Sequence, residues 1–316
     1  MKKYTGILLV VCLMLGLLAG CAASEPEQAD TTIVTTIFPL YDWTRLILGD
    51  QTENIHVTYL LDSGADLHNF QPSARDIALI SNSALFVYIG GESDEWVEDL
   101  IHAENAEING LRMMDSVSTL EESVVDGMQI EEEEEEEEGA ADEHIWLSLR
   151  RAREMVQTLC DAICALDAGH ADSFRANAQA YMEKLEQLDA EYEALRGEAK
   201  NNTILVADRF PFRYLAEDYS LSYYAAFPGC AAASDVSFET VSFLSEKLRE
   251  LQLPAVLIID GSDGEIAETI VENSGTDAKI LRLNSCQCVS AEDAQQNANY
   301  YDYMVSNLEI LREALS

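Results

Sequence analysis

The chain has 316 residues, 48% of them apolar, and carries 58 acidic side chains against 19 basic ones, for a formal charge of −39. Such a balance excludes nucleic acid as a partner, because phosphate binding needs clustered lysine and arginine. It favours solubility and the attraction of cations, and the length allows one large or two medium domains.

Residues 1–20 read as a secretory signal. Lys2 and Lys3 precede an apolar run over 7–18 that is too short for a comfortable bilayer span, and small residues lead into Cys21. Leu18-Ala19-Gly20-Cys21 resembles the bacterial lipobox, which implies a lipid on Cys21 and an anchor on the outer face of a membrane. Residues 21–31 are polar and aperiodic, a flexible tether. From there a β-branched strand over 33–37 is followed by a helix over 40–48 and a strand over 55–60. Ser73 and Asp76 have the spacing of a capping box that opens a helix. A strand over 85–89, ending in Gly90-Gly91, and a helix over 94–103 continue the alternation. Strand and helix in turn imply a parallel sheet flanked by helices.

Residues 119–143 hold the run Glu131 to Glu138, and like charges in such a block repel and stay solvated. This segment reads as a surface loop, and also as one that gathers ions near a site mouth. Ser148 caps a helical region over 148–199, broken at Asp167-Ala168-Gly169. The second of its helices, about 27 residues and about 40 Å long, suits a spine between lobes. Residues 200–316 repeat the scheme, with strands over 203–207, 223–227, 255–259 and 279–283 and helices over 212–219, 238–251, 266–273 and 291–315. The expected fold class is α/β with two lobes, 32–147 and 200–316, each a mainly parallel sheet flanked by helices, bridged by one long helix.

Two of the five histidines carry the functional signal. His68 lies in Asp66-Leu67-His68-Asn69-Phe70-Gln71-Pro72-Ser73, beyond the carboxyl end of a strand, where such sheets bind ligands. His144 lies in Asp142-Glu143-His144-Ile145-Trp146-Leu147. Neutral imidazoles bind divalent transition metals, and carboxylates complete such sites. His56, His102 and His170 fall in or beside regular elements and suit surface or core roles. Cys12 leaves with the signal and Cys21 takes the lipid. Of the remaining five, Cys160 and Cys164 share a helix face as apolar filling. Cys230 is expected to bridge to Cys286 or Cys288 in an oxidising compartment, with a thiolate metal site as the alternative.

Three stretches together resemble the solute-binding lipoproteins of zinc and manganese ABC transporters: the His68 segment with its proline and following helix, Gly90-Gly91-Glu92-Ser93-Asp94-Glu95-Trp96, and Glu143-His144-Ile145-Trp146-Leu147, where Glu143 replaces the usual proline. The resemblance covers nearly all of the mature chain. It implies two α/β lobes joined by a long helix, capture of zinc or manganese between them, and delivery to an ABC permease by a monomer that is not an enzyme. It also implies four ligands. His68 and His144 match the first two. The register of the third, a histidine or glutamate, falls on Arg209, whose guanidinium cannot coordinate a cation, so Asp208 is the implied substitute. The alternative is that Asp208 merely pairs with Arg209. The fourth is Asp260, with Asp263 in reserve. Two histidines and two carboxylates also suit a metal-dependent hydrolase, but no His-Glu-x-x-His or Gly-x-Ser-x-Gly pattern is present. A surface adhesin that has lost its metal is the remaining alternative, and Arg209 is its main support.

Overall fold

The computed structural model describes residues 31–50, 54–64, 66–102, 107–130, 139–231, 236–296 and 298–316. The signal segment, Cys21, the tether up to residue 30 and the run Glu131 to Glu138 lie outside the described residues. The first half builds one sheet from β1 (Thr31–Thr35), β2 (Ile55–Tyr59), β3 (Leu85–Tyr88) and β4 (Gly110–Arg112), in the order β2-β1-β3-β4 and parallel throughout. The second half uses β5 (Thr203–Arg209), β6 (Ser222–Phe227), β7 (Ala255–Ile259) and β8 (Lys279–Leu283), in the order β6-β5-β7-β8, again all parallel. In both sheets the first strand lies between the second and third. Connections therefore leave it in opposite directions and open a crevice at its carboxyl end.

Helices α1 (Phe38–Leu48), α2 (Ala74–Ser81) and α3 (Glu95–Ile101) belong to the first half. Ser73 and Asp76 form the reciprocal capping box at the start of α2. Two linking helices follow, α4 (Leu149–Leu166) and α5 (Ala171–Glu198). In α4 the buried positions Ala152, Met155, Val156, Leu159, Cys160 and Ile163 recur every three or four residues, so one face meets the core. Helix α5 spans 28 residues, about 42 Å. It reaches the first half through Asn177, whose amide donates to the Ile47 carbonyl at 3.0 Å, and the second through Tyr192, whose hydroxyl donates to the Met304 carbonyl at 2.5 Å. The second half adds α6 (Arg213–Tyr219), α7 (Phe238–Glu250), α8 (Glu265–Ser274), α9 (Ala291–Gln295) and α10 (Tyr300–Ala314).

Several details differ from the sequence expectations. Strand β4, a short Gly-Leu-Arg segment with no alternation to announce it, exists because it pairs with Phe86–Tyr88. The expected helix over 291–315 is two helices: Asn299 accepts the Asp302 amide and starts α10 afresh. No bridge joins Cys230 to Cys286 or Cys288, since all five described cysteines are free. Cys160 and Cys164 are buried with their sulfurs 3.9 Å apart, as apolar filling predicts. The described flanks of the acidic loop are docked rather than freely solvated. Glu121 pairs antiparallel with Ala141, and the Gln129 amide donates to the Ala226 carbonyl of β6 at 2.9 Å. Among the described residues, no helix is long and apolar enough to cross a membrane.

Candidate metal centre

The His68 turn is set by Asp66, whose side chain accepts the His68 backbone N–H at 3.0 Å and caps a short 3₁₀ turn, Leu67–Asn69. The same carboxylate receives the guanidinium of Arg209 from the end of β5, one nitrogen at 3.3 Å and a second more closely. The arginine is therefore engaged by a partner from the other half of the chain. Asp208 accepts the Arg209 backbone N–H at 2.9 Å.

The His144 turn is built differently. Although it ends the first half in sequence, the second half holds it. Tyr214 donates its hydroxyl to the Asp142 carbonyl at 2.5 Å, Trp146 donates its ring N–H to the Ser285 carbonyl at 2.8 Å, and Tyr300 donates to the Trp146 carbonyl at 2.6 Å. Gly229 lies against the imidazole so closely that a Cβ there would meet His144 Cε1 at 3.2 Å and the Phe210 carbonyl at 3.0 Å.

These turns bring the two imidazoles edge to edge, their planes inclined at 51°, with Nε2 of His68 and Nε2 of His144 3.3 Å apart. Each Nδ1 is engaged on the far side. His144 Nδ1 lies 3.0 Å from Asp142 Oδ1, which also accepts the His144 backbone N–H at 2.8 Å. His68 Nδ1 lies 2.9 Å from the Ser93 hydroxyl and 3.3 Å from Glu143 Oε1. A ring whose Nδ1 donates outward presents a bare Nε2, the usual arrangement of a metal-ligating histidine. At a zinc–nitrogen distance of about 2.0–2.1 Å, two nitrogens 3.3 Å apart subtend roughly 104–111° at the ion, near the tetrahedral angle. Bare lone pairs this close repel unless a cation lies between them. A proton on His144 can serve that role, and a divalent ion satisfies both nitrogens at once.

The electrostatics agree. Burial, reinforced by His144 and Arg209, holds His68 down to about 3. Burial opposes protonation of His144 as well, but the Asp142 carboxylate outweighs it and keeps that ring above its ordinary value. Burial pushes the Glu143 carboxyl up to about 7.

Among the described residues, His68, Glu143 and His144 are the one group of three or more potential ligands with atoms all within 4.8 Å of one another. Asp208 and Asp260, the other two sequence candidates, stand outside it. Asp260, at the end of β7, accepts the backbone N–H of Ser285 at 2.5 Å and of Cys288 at 3.2 Å. Sequence reasoning noted Glu143 only as a departure from a proline and gave Ser93 no role. Asp142 in the Asp-x-His spacing was a signal available for its histidine-orienting part.

A family model described as zinc-uptake complex component A, periplasmic, matches residues 33–314. The high-affinity zinc uptake system protein ZnuA of Bacillus subtilis is 27% identical over 324 residues, covering 99% of this chain and 98% of that one. The zinc-binding lipoprotein AdcA of Streptococcus pneumoniae is also 27% identical, over 99% of this chain, which spans only 61% of that relative's length. The crystal structure of the Zn(II)-bound ZnuA-like domain of that AdcA superposes with a TM-score of 0.73 at 26% identity, covering 91% of this chain and 99% of the domain.

Proposed function

Since the chain belongs to the family of periplasmic zinc-uptake component A, we propose that it captures a divalent transition metal, zinc foremost, between its two halves and hands it to an ABC permease. The observation that carries this reading is the 3.3 Å approach of two Nε2 atoms whose opposite ring nitrogens are both tied to acidic partners. Manganese is the second candidate cargo. Two imidazoles favour zinc by the general order of affinities, while added carboxylates would lessen the preference. Asp260 and Asp208 are proposed to complete the shell from the carboxyl ends of β7 and β5, each with lone pairs to spare beyond the backbone N–H groups it accepts. The cargo would reach the protein outside the cell, where a lipid on Cys21 would hold a monomer at the membrane. The B. subtilis relative's name states high-affinity zinc uptake, which supports the reading.

Titration of metal-free protein with zinc and manganese, beside elemental analysis, tests the proposal. One tight zinc per chain, abolished in His68→Ala and in His144→Ala, is the expected result. Full occupancy after both substitutions would overturn it. Asp208→Ala and Asp260→Ala weaken zinc binding if those residues ligate, and unchanged affinity in either removes that aspartate from the shell.

A further inference from the structure

We infer that Ser93 and Glu143 form a positioning relay that aims the Nε2 lone pair of His68 at the metal and sets a buried negative charge behind it. This rests on the metal-binding reading above. With Glu143 ionised, the state that a cation at His68 favours, the three groups admit one arrangement of hydrogens. Glu143 Oε2 accepts the Ser93 backbone N–H at 3.0 Å, and Oε1 accepts the Ser93 hydroxyl at 2.5 Å. An ionised carboxylate only accepts, so the hydroxyl hydrogen points to Glu143 and its oxygen is left to accept in turn. His68 Nδ1 lies 2.9 Å from that oxygen and must supply the hydrogen. Nε2 is then bare and faces His144. The other tautomer would set two lone pairs against each other at Nδ1 and leave the ligating nitrogen blocked by its own hydrogen.

Glu143 is a positioning residue and not itself a ligand. It approaches His68 from the Nδ1 side, away from the Nε2 contact. The relay is also rigidly mounted. Asp94 Oδ2 accepts the Ile89 and Gly90 amides at 2.9 and 3.0 Å, fixing the loop that presents Ser93. Glu143 packs over Gly91, where a Cβ would come within 2.2 Å of its carboxylate. Glu143 is fully buried, and the groups it touches, the Ser93 hydroxyl and the His68 ring, are both uncharged, since His68 is held far below its ordinary value. A buried charge so sparsely paired is costly, and a divalent ion on the far side of His68 offsets it. His144 is oriented by Asp142 directly, whereas His68 depends on a single intervening hydroxyl.

The test compares full-length wild-type protein with Ser93→Ala, Glu143→Gln and the double variant, reading zinc affinity by competition with a chelator and the His68 tautomer by nitrogen–proton NMR of the metal-free form. Each single change is expected to weaken zinc about 10–100-fold with one-to-one stoichiometry retained. The double variant should bind no more weakly than the weaker single, because both changes break one relay. In Ser93→Ala the Nδ1–H tautomer should lose its dominance. Unchanged affinity, additive losses or an undisturbed tautomer in Ser93→Ala would overturn the relay. Should Glu143→Gln misfold, Ser93→Ala alone decides. If the wild-type protein takes no zinc, the metal-binding reading itself fails; if it binds and the variants match it, only the relay does.

Discussion

Removing Arg209 tests how the two halves are tied across the crevice. Its guanidinium and the Asp66 carboxylate are 16% and 12% exposed and meet through two nitrogens and two oxygens. In Arg209→Met the carboxylate stays buried, with the His68 N–H as its remaining hydrogen-bond donor. Burial already favours its neutral form, and Arg209 is the chief influence keeping its pKa low. Breaking one side of such a pair typically costs about 3–5 kcal/mol. Asp66→Asn keeps an acceptor for the His68 N–H while removing the charge, so adding it to Arg209→Met should restore most of the loss. The expected coupling is at least about 2 kcal/mol, measured by urea unfolding of the metal-free protein in a double-mutant cycle. Strictly additive effects would show that the pair contributes nothing to joining the halves.

Three further outcomes follow from the geometry. Gly229→Ala places a methyl group about 3 Å from the Phe210 carbonyl and the His144 ring, so zinc affinity measured by chelator competition should fall about tenfold, as expected when a ligand's support is disturbed. Because Asp142 raises the affinity of His144 for a proton, zinc binding near neutral pH should release up to about one proton. Calorimetry in buffers of different ionisation enthalpy reads that number, and zero release would contradict a protonated His144. Burial raises the Asp94 carboxyl from 3.8 to about 6, so the folded state holds a proton that the unfolded state has lost between those values. Stability from this group is therefore greatest below about pH 4, declines until about pH 6 and is level above. Asp94→Asn should flatten the dependence between pH 4 and pH 7 by about 3 kcal/mol, and an unchanged slope in urea titrations would refute the assignment.

Much of the fold could be read because strand and helix alternate with clear punctuation. Ala255–Ile259 and Lys279–Leu283 fall where their β-branched and leucine-rich runs place them. The capping box at Ser73 marks a helix start through local chemistry alone. What escaped was decided by contacts remote in sequence. Gly110–Arg112 is a strand only because β3 offers an unpaired edge. His144 looked like a first-half residue, yet Tyr214, Ser285 and Tyr300 hold its turn. Ser93 is 25 residues from His68 and 50 from Glu143, and no spacing rule links side chains that far apart. The pairing of Arg209 with Asp66, 143 residues away, was equally invisible, although Arg209 itself marked where the ligand pattern changes.

The rung between Gln129 and Ala226 has a consequence for how molecules of this protein meet one another. Strand β6 ends its sheet, and the returning acidic segment occupies part of the backbone that would otherwise face solvent. Open strand borders recruit further strands from other chains, so this segment serves as a guard against self-association. Shortening it would leave that backbone open to strands from neighbouring copies.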